Sequence, residues 1–233
     1  MKKILSIFTI FVLCLMLSAC GGEGGGAPFD YDSYEARNKI KDLASTSGFL
    51  VEYEYLMDSP RLYMSDYNSG DSFEEIGAIT ITIAMNKEYT YISTSQAEMY
   101  FDFSNESKLT IISGYDDSGT GSFSYTKEEI MYSGAQNRDY YEDSYVSLYN
   151  YLAPYDMLNG EPVTSQSYDY VYGRMCEKYV IADEDATATI CIDQESGMCL
   201  KMTMTYSEDG YSYTTGLQCV RFETNPTIML PFV

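Results

Sequence analysis

The side chains able to do chemistry in this 233-residue chain are cysteines, carboxylates and tyrosines, because it has no histidine. Without imidazole the commonest general base and the commonest metal ligand are missing, so acid–base work would fall to carboxylates, tyrosine or lysine. Four cysteines crowd the last third: Cys176, Cys191, Cys199 and Cys219. Their spacings of 15, 8 and 20 residues lack the closely paired ligands that zinc sites favour, so no metal and no cofactor is expected. With 35 Asp and Glu, no single carboxylate pair stands out for general acid–base catalysis. Asp66, Asn68, Asp71 and Glu74 are spaced like the start of a calcium loop. Gly70 and Asp71 interchange the expected glycine and ligand, however, and Gly77 stands where the closing Glu should be. A solvated acidic loop is the reading that remains. Against those 35 acids stand only 14 Lys and Arg, and the net charge of −21 repels phosphate, which excludes a nucleic-acid partner.

A fifth cysteine sits in a different context. Met1-Lys2-Lys3 is a basic start, and Ile4 to Leu17 is apolar except for Ser6 and Thr9. Fourteen helical residues rise only about 21 Å, short of a roughly 30 Å hydrocarbon core, so this is a signal segment rather than a span. It closes on Leu17-Ser18-Ala19-Cys20, which resembles the bacterial lipobox, with Cys20 the residue that is diacylated before cleavage ahead of it. The competing reading is an ordinary secretory signal followed by a chance cysteine. The boundaries expected are a signal peptide over 1–19, the lipidated cysteine and a glycine-rich tether over 20–28, and one domain over 29–233. Two acyl chains on one thiol anchor a protein stably. That places the domain on the extracytoplasmic face of a bacterial envelope, lipid-anchored to the cell membrane.

The elements that must position these groups follow from the pattern along the chain. Asp32 followed by Glu35 forms a capping-box pattern, and Ala36, Ile40, Leu43 and Ala44 recur at helical spacing, predicting a helix over 32–47. Phe49–Met57, Ile79–Met85, Tyr89–Thr94, Glu98–Phe103 and Lys108–Ser113 are strand-like runs with short polar turns, an antiparallel meander. Strand patterning stops after Tyr125. Tyr141, Tyr145, Leu148 and Leu152 then predict a helical block, in two pieces between Thr126 and Leu158. Strands resume at Thr164–Tyr172, Arg174–Ala182, Thr187–Asp193, Met198–Tyr206 and Tyr211–Phe222. All 25 tyrosines lie beyond the signal segment, suited to half-buried sheet positions or to an adhesive or carbohydrate-binding surface.

Alternation places Ile190, Ile192, Leu200, Met202, Met204, Val220 and Phe222 on an apolar face and all four late cysteines on the polar one. A three-residue loop at Glu208-Asp209-Gly210 sets Ser207 opposite Tyr211, and therefore Cys199 opposite Cys219. A four-residue loop over Ala182–Asp185 likewise sets Cys176 opposite Cys191. Oxidation is permitted outside the cytoplasm, so hairpin register selects the disulfides Cys176–Cys191 and Cys199–Cys219. A tighter turn at Gln194–Ser196 would instead oppose Cys191 and Cys199. Each bridge is worth about 3 kcal/mol in the loop-entropy description.

With the lipobox, tether, leading helix, strands, mid-chain helices and closing strands in this order, the chain resembles the LolA/LppX-like lipoprotein carrier fold. Gly173, Cys176, Lys178-Tyr179, Cys191-Ile192-Asp193, Gly197 and Leu200-Lys201 are similar to that family's closing strands, where a glycine turn separates an Ile-Asp pair from a Leu-Lys pair. The resemblance implies an α+β domain, a strongly curved antiparallel half-barrel of about 11 strands with helices on the concave face. It also implies an acyl-lipid ligand on that face, with Ile79, Ile81, Ile83, Leu200, Met202 and Met204 among the lining candidates. The cysteines and the tyrosine content depart from the family. Two functions follow, neither enzymatic: a carrier or sensor of acyl chains, and an interaction or structural lipoprotein whose half-barrel is filled by its own helices. Cys20→Ser should abolish acylation, read by metabolic labelling with an acyl probe; label retained on the variant would refute the lipobox assignment.

Overall fold

The computed structural model describes residues 27–58, 79–117, 119–131, 138, 140–142, 148–155, 158–182, 186–208 and 211–231. Cys20 and the acidic stretch from Asp66 to Glu74 lie outside the described residues. Helix α1 (Ser33–Thr46) begins where expected, because the Asp32 carboxylate accepts from the Tyr34 and Glu35 amides at 2.9 and 3.0 Å. Its apolar positions Ala36, Ile40 and Ala44 are buried.

Among the described residues all the strands belong to one open antiparallel sheet of 11. The first meander is β1 (Phe49–Asp58), β2 (Thr80–Met85), β3 (Tyr89–Ser93), β4 (Ala97–Asn105), β5 (Lys108–Tyr115) and β6 (Ser124–Met131). A short helix α2 (Tyr149–Leu152) precedes the second: β7 (Val163–Val171), β8 (Arg174–Ala182), β9 (Ala186–Asp193), β10 (Cys199–Glu208) and β11 (Tyr211–Thr224). The spatial order β6-β5-β4-β3-β2-β1-β11-β10-β9-β8-β7 joins the two through β1 and β11, leaving β6 and β7 as edges. One face of the sheet carries Phe49, Val51, Ile83, Ile190 and Met202 into a core shared with Ile40 of α1 and with Leu148, Leu152 and Tyr155. Burying that stripe against the sheet, rather than propensity, holds a helix as short as α2 in place.

Three expectations are corrected. Residues 124–131, assigned in part to the helical block, are strand β6. As an edge it is exposed at most positions and carries Lys127, Glu128 and Glu129, so it shows no apolar alternation. Second, Ala182 pairs with Thr187, which places Cys176 opposite Asp193 and Cys191 opposite Lys178. A slide that moves every partner by two residues keeps each side chain on its face, so hydrophobic pattern cannot detect it. Third, Glu208 pairs with Tyr211, leaving two residues between the strands rather than three. That brings Leu217 opposite Met202 and puts Cys219 opposite Tyr53 of β1. A bulge at the Glu52/Tyr53 step accommodates Val220, after which Phe222 faces Val51. The disulfides Cys176–Cys191 and Cys199–Cys219 lose their geometric basis, and the four cysteines, expected on the polar face, are instead free thiols buried in the apolar core cluster. The rival pair fares no better. Cys199 pairs with Ile192, and Cys191 with Lys201.

Gly216 shows how tightly β10 and β11 meet. Its φ is +152°, and a Cβ there would lie 2.1 Å from the Met202 carbonyl oxygen. Backbone strain of this kind costs of order 1–3 kcal/mol per residue. Gly216→Ala should therefore lower stability by about 2 kcal/mol or more, read as a lower urea midpoint at unchanged slope.

Candidate functional site

The six proposed lining residues divide between two positions. Ile81, Ile83, Leu200, Met202 and Met204 are all buried in the core cluster that includes Ile40, Leu148 and Leu152. Ile79 is only half-buried, just ahead of β2, where its carbonyl accepts the Tyr55 amide at 2.8 Å. The structure thus brings five of the six together in one buried cluster.

Two tyrosines fasten this layer through their hydroxyls. Tyr53 of β1 donates to the Cys199 carbonyl at 2.8 Å, and Tyr155 donates to the Gly197 carbonyl at 2.6 Å. Both side chains are fully buried, and burial pushes both phenols well above their ordinary range. Tyr31 packs on Tyr155, its ring centroid 4.7 Å away, and Phe29 meets the edge of Tyr179 at 5.2 Å. Each apolar ring is spent on the core while each buried hydroxyl finds a carbonyl.

The most buried charge of the β9–β10 turn is Asp193, 1% exposed at the end of β9. Its carboxylate accepts Arg174 Nε at 2.9 Å and Nη2 at 2.8 Å, and the Ser196 amide and hydroxyl at 2.8 and 2.5 Å. This bidentate pair and the local turn satisfy the carboxylate fully. Arg174 also reaches Glu195 at 2.8 Å and lies 4.2 Å over the Phe222 ring. The turn so formed places Gly197, φ +69°, against α1: a Cβ there would come within 3.2 Å of Ala36 Cα. A second buried carboxylate, Glu142, accepts from Thr90 Oγ1 at 2.5 Å and from Arg138 Nε at 2.8 Å. Arg138 donates on to the Asn86 carbonyl at 2.8 Å, to the Tyr89 carbonyl and to Thr90. That cluster ties residues 138–142 to the β2–β3 turn.

Elsewhere Glu98 gathers three phenols, accepting from Tyr91 and Tyr100 at 3.2 Å each and from Tyr125. Hydrogen bonding to Glu98 is the largest cause that pushes the Tyr125 phenol up to about 12, whereas burial leads for Tyr91 and Tyr100. The cysteines follow the same logic. Burial pushes Cys176 up to about 12 and Cys219 to about 11, and raises Cys191 and Cys199 as well. A raised pKa keeps thiol and phenol protonated, the form that is the poorer nucleophile and base.

Sequence reasoning does not single out the Arg174–Asp193 pair, although an aspartate after the buried run Ile190-Cys191-Ile192 is the signal that could have found it. Removing one partner of such a pair strands the other charge. Arg174→Met should destabilise the domain by about 3–5 kcal/mol, measured by chemical denaturation, and a loss within about 0.5 kcal/mol would show the pair to be dispensable.

No protein-family model matches the chain, and no curated protein matches it. Among solved structures it is similar to a crystal structure of MucB, with a TM-score of 0.37 and 11% identity over 87% of this chain and 62% of that one. It is also similar to the MucA/MucB complex of Pseudomonas aeruginosa, at 0.32 and 10% identity over 85% of this chain and 59% of that one. For PNGF-II the values are 0.33 and 10%, over 79% and 29%. The chain spans about three fifths of the MucB structure it matches.

Proposed function

We propose that this chain is an extracytoplasmic lipoprotein, anchored to a bacterial membrane through acylated Cys20, and that it acts as a non-enzymatic interaction module. In this reading the sheet is a strongly curved half-barrel with the helices on its concave face, and the half-barrel is filled by the chain itself. The observation that carries it is the packing of Ile81, Ile83, Leu200, Met202 and Met204 against Ile40, Leu148 and Leu152 in one cluster. A carrier of acyl chains needs roughly 300–1,000 Å³ of ligand volume on that face. The side chains that would line it are 0–8% exposed and share one cluster with residues of α1 and of 148–155. The lipobox at Leu17-Ser18-Ala19-Cys20 supports the anchor and the extracytoplasmic location. The buried Asp193 and Glu142 support a scaffold role, since each is committed to an arginine within the fold.

Native mass spectrometry of the purified domain should show the bare polypeptide mass. Met202→Trp should then cost about 1–3 kcal/mol, as overfilling a packed core does. Co-purifying lipid, together with a melting temperature unchanged by the bulkier side chain, would overturn the filled-core reading in favour of a carrier.

A further inference from the structure

Among the described residues nine large apolar or aromatic side chains are exposed, and four of them, Tyr168, Tyr170, Tyr172 and Met175, fall in the single hairpin of β7 and β8. Their exposures are 66, 68, 53 and 46%. In register, Tyr168 lies opposite Glu177 and Tyr170 opposite Met175, so Tyr168, Tyr170 and Met175 share one face at the tip, with the Tyr170 hydroxyl 3.8 Å from the Met175 sulfur. β7 is a sheet edge, exposed at every position from Thr164 to Tyr170. The other edge, β6, carries Lys127, Glu128 and Glu129. Strand β7 has Asp169 as its one charge, and that residue pairs with Lys178 at 3.6 Å.

Charge marks the hairpin further. The chain carries −21, yet the tip from Tyr170 to Gly173 holds no charged side chain. That stretch adds no charge of its own to the repulsion within the molecule. Tyrosine with a wet hydroxyl and an apolar ring is the side chain that settles at a membrane–water boundary.

The chain's entry point fits the same plane. Val163 N donates to the Ala27 carbonyl at 2.8 Å, Phe29 N to the Glu161 carbonyl at 2.6 Å, and Pro28 bridges Pro162 in antiparallel sense. Residues 27–29 therefore run beside the start of β7, with their upstream end directed toward the β7–β8 turn. Six residues lie between Cys20 and Ala27, and the seven steps span a contour of at most about 25 Å. From Val163 to Tyr170 the strand rises about 24 Å. The acylated cysteine and the tyrosine tip can thus meet one membrane surface.

We infer that the β7–β8 hairpin is a membrane-contacting foot: Tyr168, Tyr170, Tyr172 and Met175 dock on the bilayer interface that holds the Cys20 lipid, fixing the orientation of the domain. This rests on the anchored reading proposed above. The partner is an uncharged, zwitterionic lipid surface, since a strongly acidic protein is repelled by an anionic one.

The chain has no tryptophan, so Tyr170→Trp introduces a single fluorescent reporter at the tip. The acylated protein carrying it is reconstituted into phosphatidylcholine vesicles with and without brominated acyl chains. Tyr115→Trp, on β5 near the opposite edge of the sheet, serves as the reference. In a second arm a hexahistidine tag replaces Cys20 and binds nickel-chelating lipid in the same vesicles, keeping the tether without acylation. Bromolipid should quench the Tyr170→Trp reporter about twofold or more in both arms and leave the Tyr115→Trp reference unaffected. Loss of vesicle binding in the first arm only, with the tip reporter quenched in the second, would refute the anchor and keep the foot. A tip reporter unquenched in the second arm, or quenched no more than the reference, would overturn the foot. So would dimers joined through β7, detected by crosslinking at the same surface density.

Discussion

The pairing of the first strand with the last is the constraint on which the structure depends. Each half of the chain pairs strands that are consecutive in sequence, but one antiparallel seam, β1 on β11, makes them a single sheet. That seam runs from Phe49↔Thr224 to Asp58↔Thr214 and is crossed by the Tyr55–Thr215 hydroxyl contact at 2.7 Å. It carries the largest sequence separation of any strand pairing in the sheet, so its closure entropy must be met by contacts available only once both meanders exist. Tyr53 supplies such a contact, reaching from β1 across β11 to the Cys199 carbonyl on β10. The bulge at Val220 and the bare backbone at Gly216 both lie on β11, where two independently twisted halves have to be fitted together.

This explains which parts of the molecule can be read from sequence. Elements set by nearest neighbours are legible: α1 from Asp32 and the Ala36-Ile40-Ala44 stripe, and most strands from alternation bounded by polar turns. What sequence does not show is register. The β8–β9 partners differ from expectation by a slide that leaves every face unchanged, and β10–β11 by a turn one residue shorter, compensated later by a bulge against β1. Both are decided by packing between distant strands. Edge strand β6 escapes a reading by pattern because an exposed, charged edge carries no alternation.

The candidate site divides the same way. Alternation puts the apolar lining residues together because it fixes the face, but it is silent on what covers that face. The cluster they join also holds residues of α1 and of 148–155, and its neighbours are fixed by polar contacts that no local pattern encodes. Tyr155 reaches Gly197, and Arg174 reaches Asp193, over 42 and 19 residues of sequence. These bonds are directional where the hydrophobic contacts around them are not. They select one placement of the β9–β10 turn beneath α1 out of many of similar burial.

The cysteines then acquire a coherent role without bridging. A free thiol resists oxidation if it is kept from becoming thiolate, the form that attacks disulfides and oxidants. Burial does this directly, pushing the Cys176 thiol up and so lowering its thiolate fraction at neutral pH. The same burial removes access for an oxidant, since all four side chains are at most 3% exposed. Cysteine is also among the smallest of the apolar side chains that cores accept readily. Cys219 faces Tyr53 across the seam, and the Cys199 carbonyl takes that tyrosine's hydrogen bond. A larger side chain at 219 would press on the ring whose hydroxyl locks β1 to β10. Of the residues that looked like covalent staples, Cys219 and Cys199 therefore serve the seam, one by being small and apolar and the other through its carbonyl.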